Sequence, residues 1–296
     1  MKQFVFILVV ALGSYTCFAQ DRHRELNQKE PIDTCIMSVG YDFHFVQDTI
    51  RKEPRCDRQI LEIGRLYTRY FSAYGEKIDS LYASYDETDR TFAPNKWKTG
   101  KEQELYEDFY TNYPRAGLLT VSTGLIKYEY VYTEPIPLFK WNVNFFDTRK
   151  ISGYLCHKAT TLFRGRDYEV WYTTEVPVPF GPWKLNGLPG LILEATTMDG
   201  LFSWKFVGIE QPHQRKIYIY SDQKTKGAYP MRFVNISRAA MRKLQQKRWE
   251  DPIGLTLAHG LEQAIIGVLN PKTGKITYYD KPGTYQKPYM PTLELE

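Results

Sequence analysis

Gly181-Pro182-Trp183-Lys184-Leu185-Asn186-Gly187-Leu188-Pro189-Gly190-Leu191-Ile192-Leu193 packs three turn signals into ten residues and then starts an apolar strand. Asn186-Gly187 supplies the positive φ of a tight turn. Pro189-Gly190 suits a type II turn, which puts positive φ at Gly190. Trp183 anchors such a loop by burial. Outward from this corner the chain alternates apolar and polar residues. Strands are expected over 118–122, 125–134, 154–164, 166–174, 191–197, 201–210 and 216–220, with short links that favour antiparallel neighbours. Earlier strands are expected over 36–52 and, as a pair, over 60–74. Helical spacing marks 101–112, 237–250 (capped by Asn235 or Ser237) and 253–269.

The string Gly187-Leu188-Pro189-Gly190-Leu191-Ile192 is similar to the signature of the GLPGLI (Porph_ging) family of secreted, Bacteroidetes-type proteins. Ile151-Ser152-Gly153-Tyr154-Leu155-Cys156-His157-Lys158-Ala159 and Gly165-Arg166-Asp167-Tyr168-Glu169-Val170-Trp171-Tyr172-Thr173 resemble two further elements of that family. Asp57 to Ser80 and the stretch Pro288 to Leu295 extend the resemblance from about residue 35 onward. It implies an exported β-rich protein and carries no activity with it.

Lys2, the apolar run Phe4 to Leu12 and Cys17-Phe18-Ala19 form the three regions of a secretory signal peptide cleaved near Ala19. The expected destination is the periplasm or the extracellular space. Residues 20–296 form one expected domain, of 277 residues. No run approaches the ~20 apolar residues of a membrane-spanning helix. The net charge of +5 is spread along the chain, which argues against a nucleic-acid surface. In an oxidising compartment, Cys35 and Cys56 are the expected disulfide, with Cys156 buried and inert. The 15% aromatic content, including 23 Tyr, points to sheets with aromatic faces. The expected fold is therefore α+β: a mainly antiparallel, curved, half-barrel-like sheet with a few helices covering part of one face.

Catalytic templates are sparse. The five His residues are scattered without metal-ligand spacing, and neither a Gly-x-Ser-x-Gly elbow nor a phosphate loop is present. No metal and no cofactor is expected. Glu134, Asp147, Asp167, Glu175 and Glu194 are the strand-borne carboxylates from which a paired-acid hydrolase would draw. Tyr128, Tyr130 and Tyr132, and then Phe202, Trp204 and Phe206, are aromatic stripes of period two. They are core, or they line a groove together with Trp183 and Arg166. On the sequence alone, the leading function is a non-enzymatic cell-envelope protein binding an apolar (lipid) or peptide ligand at that groove. A structural accessory docking an outer-membrane protein, and an unrecognised hydrolase, are the alternatives.

Overall fold

A computed structural model describes residues 29–46, 54–83, 107–126, 128–221, 232–260, 266–269, 275–285 and 292–295. The expected leader at 1–19 lies outside them. The elements run β1 (Lys29–Thr34), β2 (Met37–Val46), β3 (Pro54–Ile63), β4 (Thr68–Ser72), α1 (Ala73–Ala83), β5 (Glu107–Thr111), β6 (Leu118–Leu125), β7 (Tyr128–Pro135) and β8 (Asn142–Ile151). They continue with β9 (Tyr154–Phe163), β10 (Arg166–Thr173), β11 (Leu191–Thr197), β12 (Phe202–Glu210), β13 (Lys216–Tyr220) and β14 (Arg232–Asn235). Then come α2 (Arg238–Glu250), α3 (Pro252–Ala258), β15 (Ile266–Leu269) and β16 (Ile276–Tyr279).

Twelve strands form one open sheet in the order β14-β7-β6-β5-β4-β3-β2-β12-β11-β10-β9-β8, antiparallel throughout except for the β14–β7 pair. The fold is α+β and mostly antiparallel, as its alternation predicted. Because side chains alternate across a strand, the register fixes which residues share a face. Phe43 opposes Trp204, Tyr70 opposes Phe109, and Val121 opposes Tyr132, so all of these side chains stand on one aromatic face. The loop 176–190 folds over this face and buries Trp183, Leu185 and Leu188 against it. The opposite face carries Arg69, Asp108 and Tyr110. Tyr220, from the β1–β13 ribbon, and Glu76 of α1 meet Arg69 there, and Lys29 of the same ribbon pairs with Glu76.

Several expectations are corrected. The helix expected over 101–112 is a strand from Glu107 onward, because the slot between β4 and β6 takes it. Phe109 then joins the core, while Asp108 accepts from Arg69 Nη2 at 2.7 Å. The helix expected over 253–269 ends at Ala258 and is followed, from Ile266, by a strand paired with β16. Helices do not keep to one face: α2 and α3 cover the Tyr130 side, while α1 sends Glu76 to Arg69 on the other. Ser237, not Asn235, caps α2 by accepting from the Ala240 amide at 3.2 Å.

Cys35 and Cys56 are not joined. Cys56 pairs with His44 in the β2–β3 ladder, whereas Cys35 precedes Met37 at the other end of it. At ~3.3 Å per residue they are more than ~20 Å apart, far beyond disulfide reach. The Cys35 thiol donates instead to Met37 O at 3.1 Å.

Candidate functional site

The loop expected to turn at Pro189-Gly190 turns earlier. Leu185 N donates to Pro182 O at 3.1 Å, and Trp183 sits between them at φ +56, a left-handed conformation rare for a bulky residue. That backbone sends two neighbouring side chains in different directions. The Trp183 ring stacks on Tyr168 and Trp204, with centroids at 5.9 and 6.4 Å. Lys184 extends its ammonium past the Phe109 and Tyr132 rings, at 5.9 and 5.8 Å. Gly187 has the expected positive φ of 90. Gly190 does not belong to the positive-φ glycines. It is glycine because the β10 backbone presses on it: a Cβ there would stand 2.7 Å from the Thr173 carbonyl carbon and 3.0 Å from Thr174 Cα.

Lys184 Nζ is 2.7 Å from a carboxylate oxygen of both Glu134, on β7, and Glu294. Sharing one ammonium, at 2.7 Å on each side, brings one oxygen of each acid close to the other across Lys184. Arg164, in the β9–β10 turn, reaches both as well, at 2.6 Å each. Arg238 of α2 meets Glu294 at 2.5 Å, and Arg242 donates to the Glu294 main-chain oxygen at 3.3 Å. Burial alone would raise the Glu294 carboxyl, but Lys184, Arg238 and Arg164 outweigh it and hold the group at about 2. Burial opposes ionisation of Glu134 in the same way, and Arg164 and Lys184 lower it. Glu107, half-buried on β5, behaves oppositely. Burial pushes its carboxyl up, and the nearby Lys184 offsets that only in part. Gln245 of α2 donates to Glu107 at 3.1 Å. Three acids around one lysine are thus split, two held ionised and one displaced toward the neutral form. Beside Lys184 lies a cavity of about 10 Å³, room for one water.

The aromatic stripes do not converge on one groove. Phe202, Trp204 and Trp183 are buried in the main core, where Trp204 stacks on Phe43 at 4.7 Å. The Trp204 indole donates inward to Gln59 at 3.4 Å. Phe206 packs at that core's margin, edge-on to Tyr154. Tyr130 belongs to a second cluster with Met241 and Leu255, and its hydroxyl meets His259 Nε2 at 2.7 Å. Tyr128 joins the same cluster, and Tyr132 spans both. Arg166 is buried, ion-paired with Asp199 and donating to Thr292 O at 2.6 Å.

Of the five strand-borne carboxylates expected from the sequence, Glu134 alone enters the cluster. Asp147 faces Lys158, Glu194 pairs with Arg149, Glu175 accepts from the Leu155 amide and Asp167 is exposed. Glu107 was hidden inside an apparent helix. Glu294 had no local pattern to mark it. Cys156 is fully buried, and burial pushes its thiol up to about 11, which keeps it protonated. No group of three or more metal-ligating side chains occurs among the described residues. No helix among them is long and apolar enough to cross a membrane.

The family model described as "N-glycanase peptide, N-terminal domain" matches residues 75–229, more than half of the chain. No curated protein matches. Two solved structures of PNGF-II, in space groups P21 and C2, are similar over 81% and 79% of this chain, at 16% and 15% identity. Their TM-scores are 0.47 and 0.45, and this chain spans 36% and 34% of theirs, about a third of their length. The matched stretch contains the Gly187–Ile192 string and both flanking elements, so the GLPGLI assignment is overturned. The non-enzymatic envelope binder falls with it, because the matched family is that of a glycanase.

Proposed function

Because the chain belongs to the family of N-glycanase N-terminal domains, we propose that it serves the hydrolytic removal of N-linked glycans from polypeptide. The observation that carries this is the match across residues 75–229, which takes in β5 to β13 and the Lys184 loop. The split carboxylates support it. Hydrolysis of a glycan linkage adds water across the bond, with a proton delivered to the leaving group. Glu107, raised by burial, is suited to donate the proton. Glu134 and Glu294 have their lone pairs taken up by Lys184, Arg164 and Arg238, so they hold these cations in place and do not serve as bases. Export directed by residues 1–19 would bring the chain to extracellular glycoproteins.

The test is release of glycan from a denatured N-glycosylated protein by the full chain, read as loss of mass from the acceptor. Wild type releases glycan, and Glu107→Gln slows release by about 100-fold or more while keeping the fold. A folded wild-type chain that releases none would reject catalysis by this chain.

A further inference from the structure

Residues 292–295 lie in a slot that reads them as a peptide. Arg166 Nη2 donates to Thr292 O at 2.6 Å, Tyr168 OH donates to Leu293 O at 2.5 Å, and the Leu295 amide donates to Arg164 O at 2.9 Å. These contacts are to main chain, so they recognise a polypeptide without regard to side chain, here one that bends at Leu293 with Thr292 Oγ1 donating to Glu294 O at 2.6 Å. Specificity comes from the two central residues. Leu293 packs against the aromatic core, and Glu294 enters the cations Arg164, Lys184, Arg238 and Arg242.

The receiving side is organised without the segment. Glu134 by itself holds Arg164 at 2.6 Å and Lys184 at 2.7 Å. Ser237 caps the start of α2, Met241 of α2 packs into the cluster with Tyr130, and the β9–β10 ladder sets the Arg164 turn. Emptied of Glu294, the slot would keep its shape and carry an excess of positive charge. Its rim is open, since the Arg238 and Arg242 side chains are 25% and 33% exposed.

We propose that this slot is a binding site for an acidic peptide with a Leu-Glu core, bent at the Leu, filled in cis by Thr292-Leu293-Glu294-Leu295 and open to a competing segment of the same chemistry. The inference goes beyond glycan hydrolysis and stands without it. If that reading holds, the competitor is the polypeptide part of a glycoprotein. Main-chain recognition favours peptide over an acidic sugar, which offers a carboxylate but no amide ladder.

The experiment titrates the full chain, wild type and Glu294→Gln, with the acetylated and amidated peptide Thr-Leu-Glu-Leu. Its Gln counterpart and N-acetylneuraminic acid serve as controls, and binding is read by calorimetry. The expected result is that Glu294→Gln binds the Glu peptide about tenfold more tightly than wild type does, and about tenfold more tightly than it binds either control. Wild-type hydrogen exchange gives a second reading that needs no variant: the Leu295 amide should lose protection as the Glu peptide is added, but not with equimolar Gln peptide. Failure of the Glu peptide to bind folded Glu294→Gln, equal binding of the sugar acid, or unchanged Leu295 exchange at millimolar peptide would each overturn the proposal. Neither readout involves glycan release, so failure here and failure of the hydrolase reading are separable.

Discussion

Gly190 lies directly against the carbonyl of Thr173, so close that the first atom of any side chain at 190 would meet the β10 backbone. The corner between the Lys184 loop and β11 exists because one residue there has no Cβ. Gly190→Ala is expected to destabilise the protein by about 3 kcal/mol, because the obstacle is backbone and cannot swing aside. Gly187→Ala, at φ 90 and with only an ordinary contact to Trp141 Nε1 at 3.8 Å, should cost only about 1 kcal/mol. Equal losses in urea denaturation would refute this division of roles.

Removing the ammonium that Glu134 and Glu294 share should be expensive. Lys184→Met is expected to lose about 3 kcal/mol, because two carboxylates buried around it lose a counter-charge. Pairing it with Glu134→Met should recover part of that loss. Additive losses in a double-mutant cycle would mean that the two residues are not coupled.

Acid should act on the same cluster. The folded state holds Glu294 at about 2, below its ordinary 4.5, so its contribution to stability is complete above 4.5 and disappears as pH falls toward 2. On the order of 3 kcal/mol is at stake. The melting temperatures of wild type and Glu294→Gln should therefore converge between pH 4.5 and 2. A constant difference across that range would contradict the ion-pair account.

Trp204 tests the core against the groove. Fully buried between Phe43 and Trp183, it should cost about 3–5 kcal/mol when replaced by Ala. A loss under about 1 kcal/mol by chemical denaturation would mean that the ring is not packed as described.

Reducing agent should leave stability unchanged, since Cys35 and Cys56 sit at opposite ends of the β2–β3 ladder. A drop in melting temperature with dithiothreitol would show a bond this register forbids.

The alternation of apolar residues between 118 and 220 determined most of the strands there, because a period of two is written locally and any sheet must bury one face, whereas β8 (Asn142–Ile151), a mostly exposed edge strand, carries no such pattern and was not expected. Asn186-Gly187 likewise announced its own positive φ. Tertiary structure decided the rest. Glu107 to Thr111 has helical spacing on paper but becomes a strand because β4 and β6 leave hydrogen bonds to fill. Gly190 looked like a turn residue, yet its requirement comes from Thr173, seventeen positions away. The Lys184 cluster gathers Glu107, Glu134, Arg164, Arg238 and Glu294 from five separate places in the chain. A buried charge is satisfied by whichever opposite charge the fold delivers, and that delivery has no local signature in the sequence.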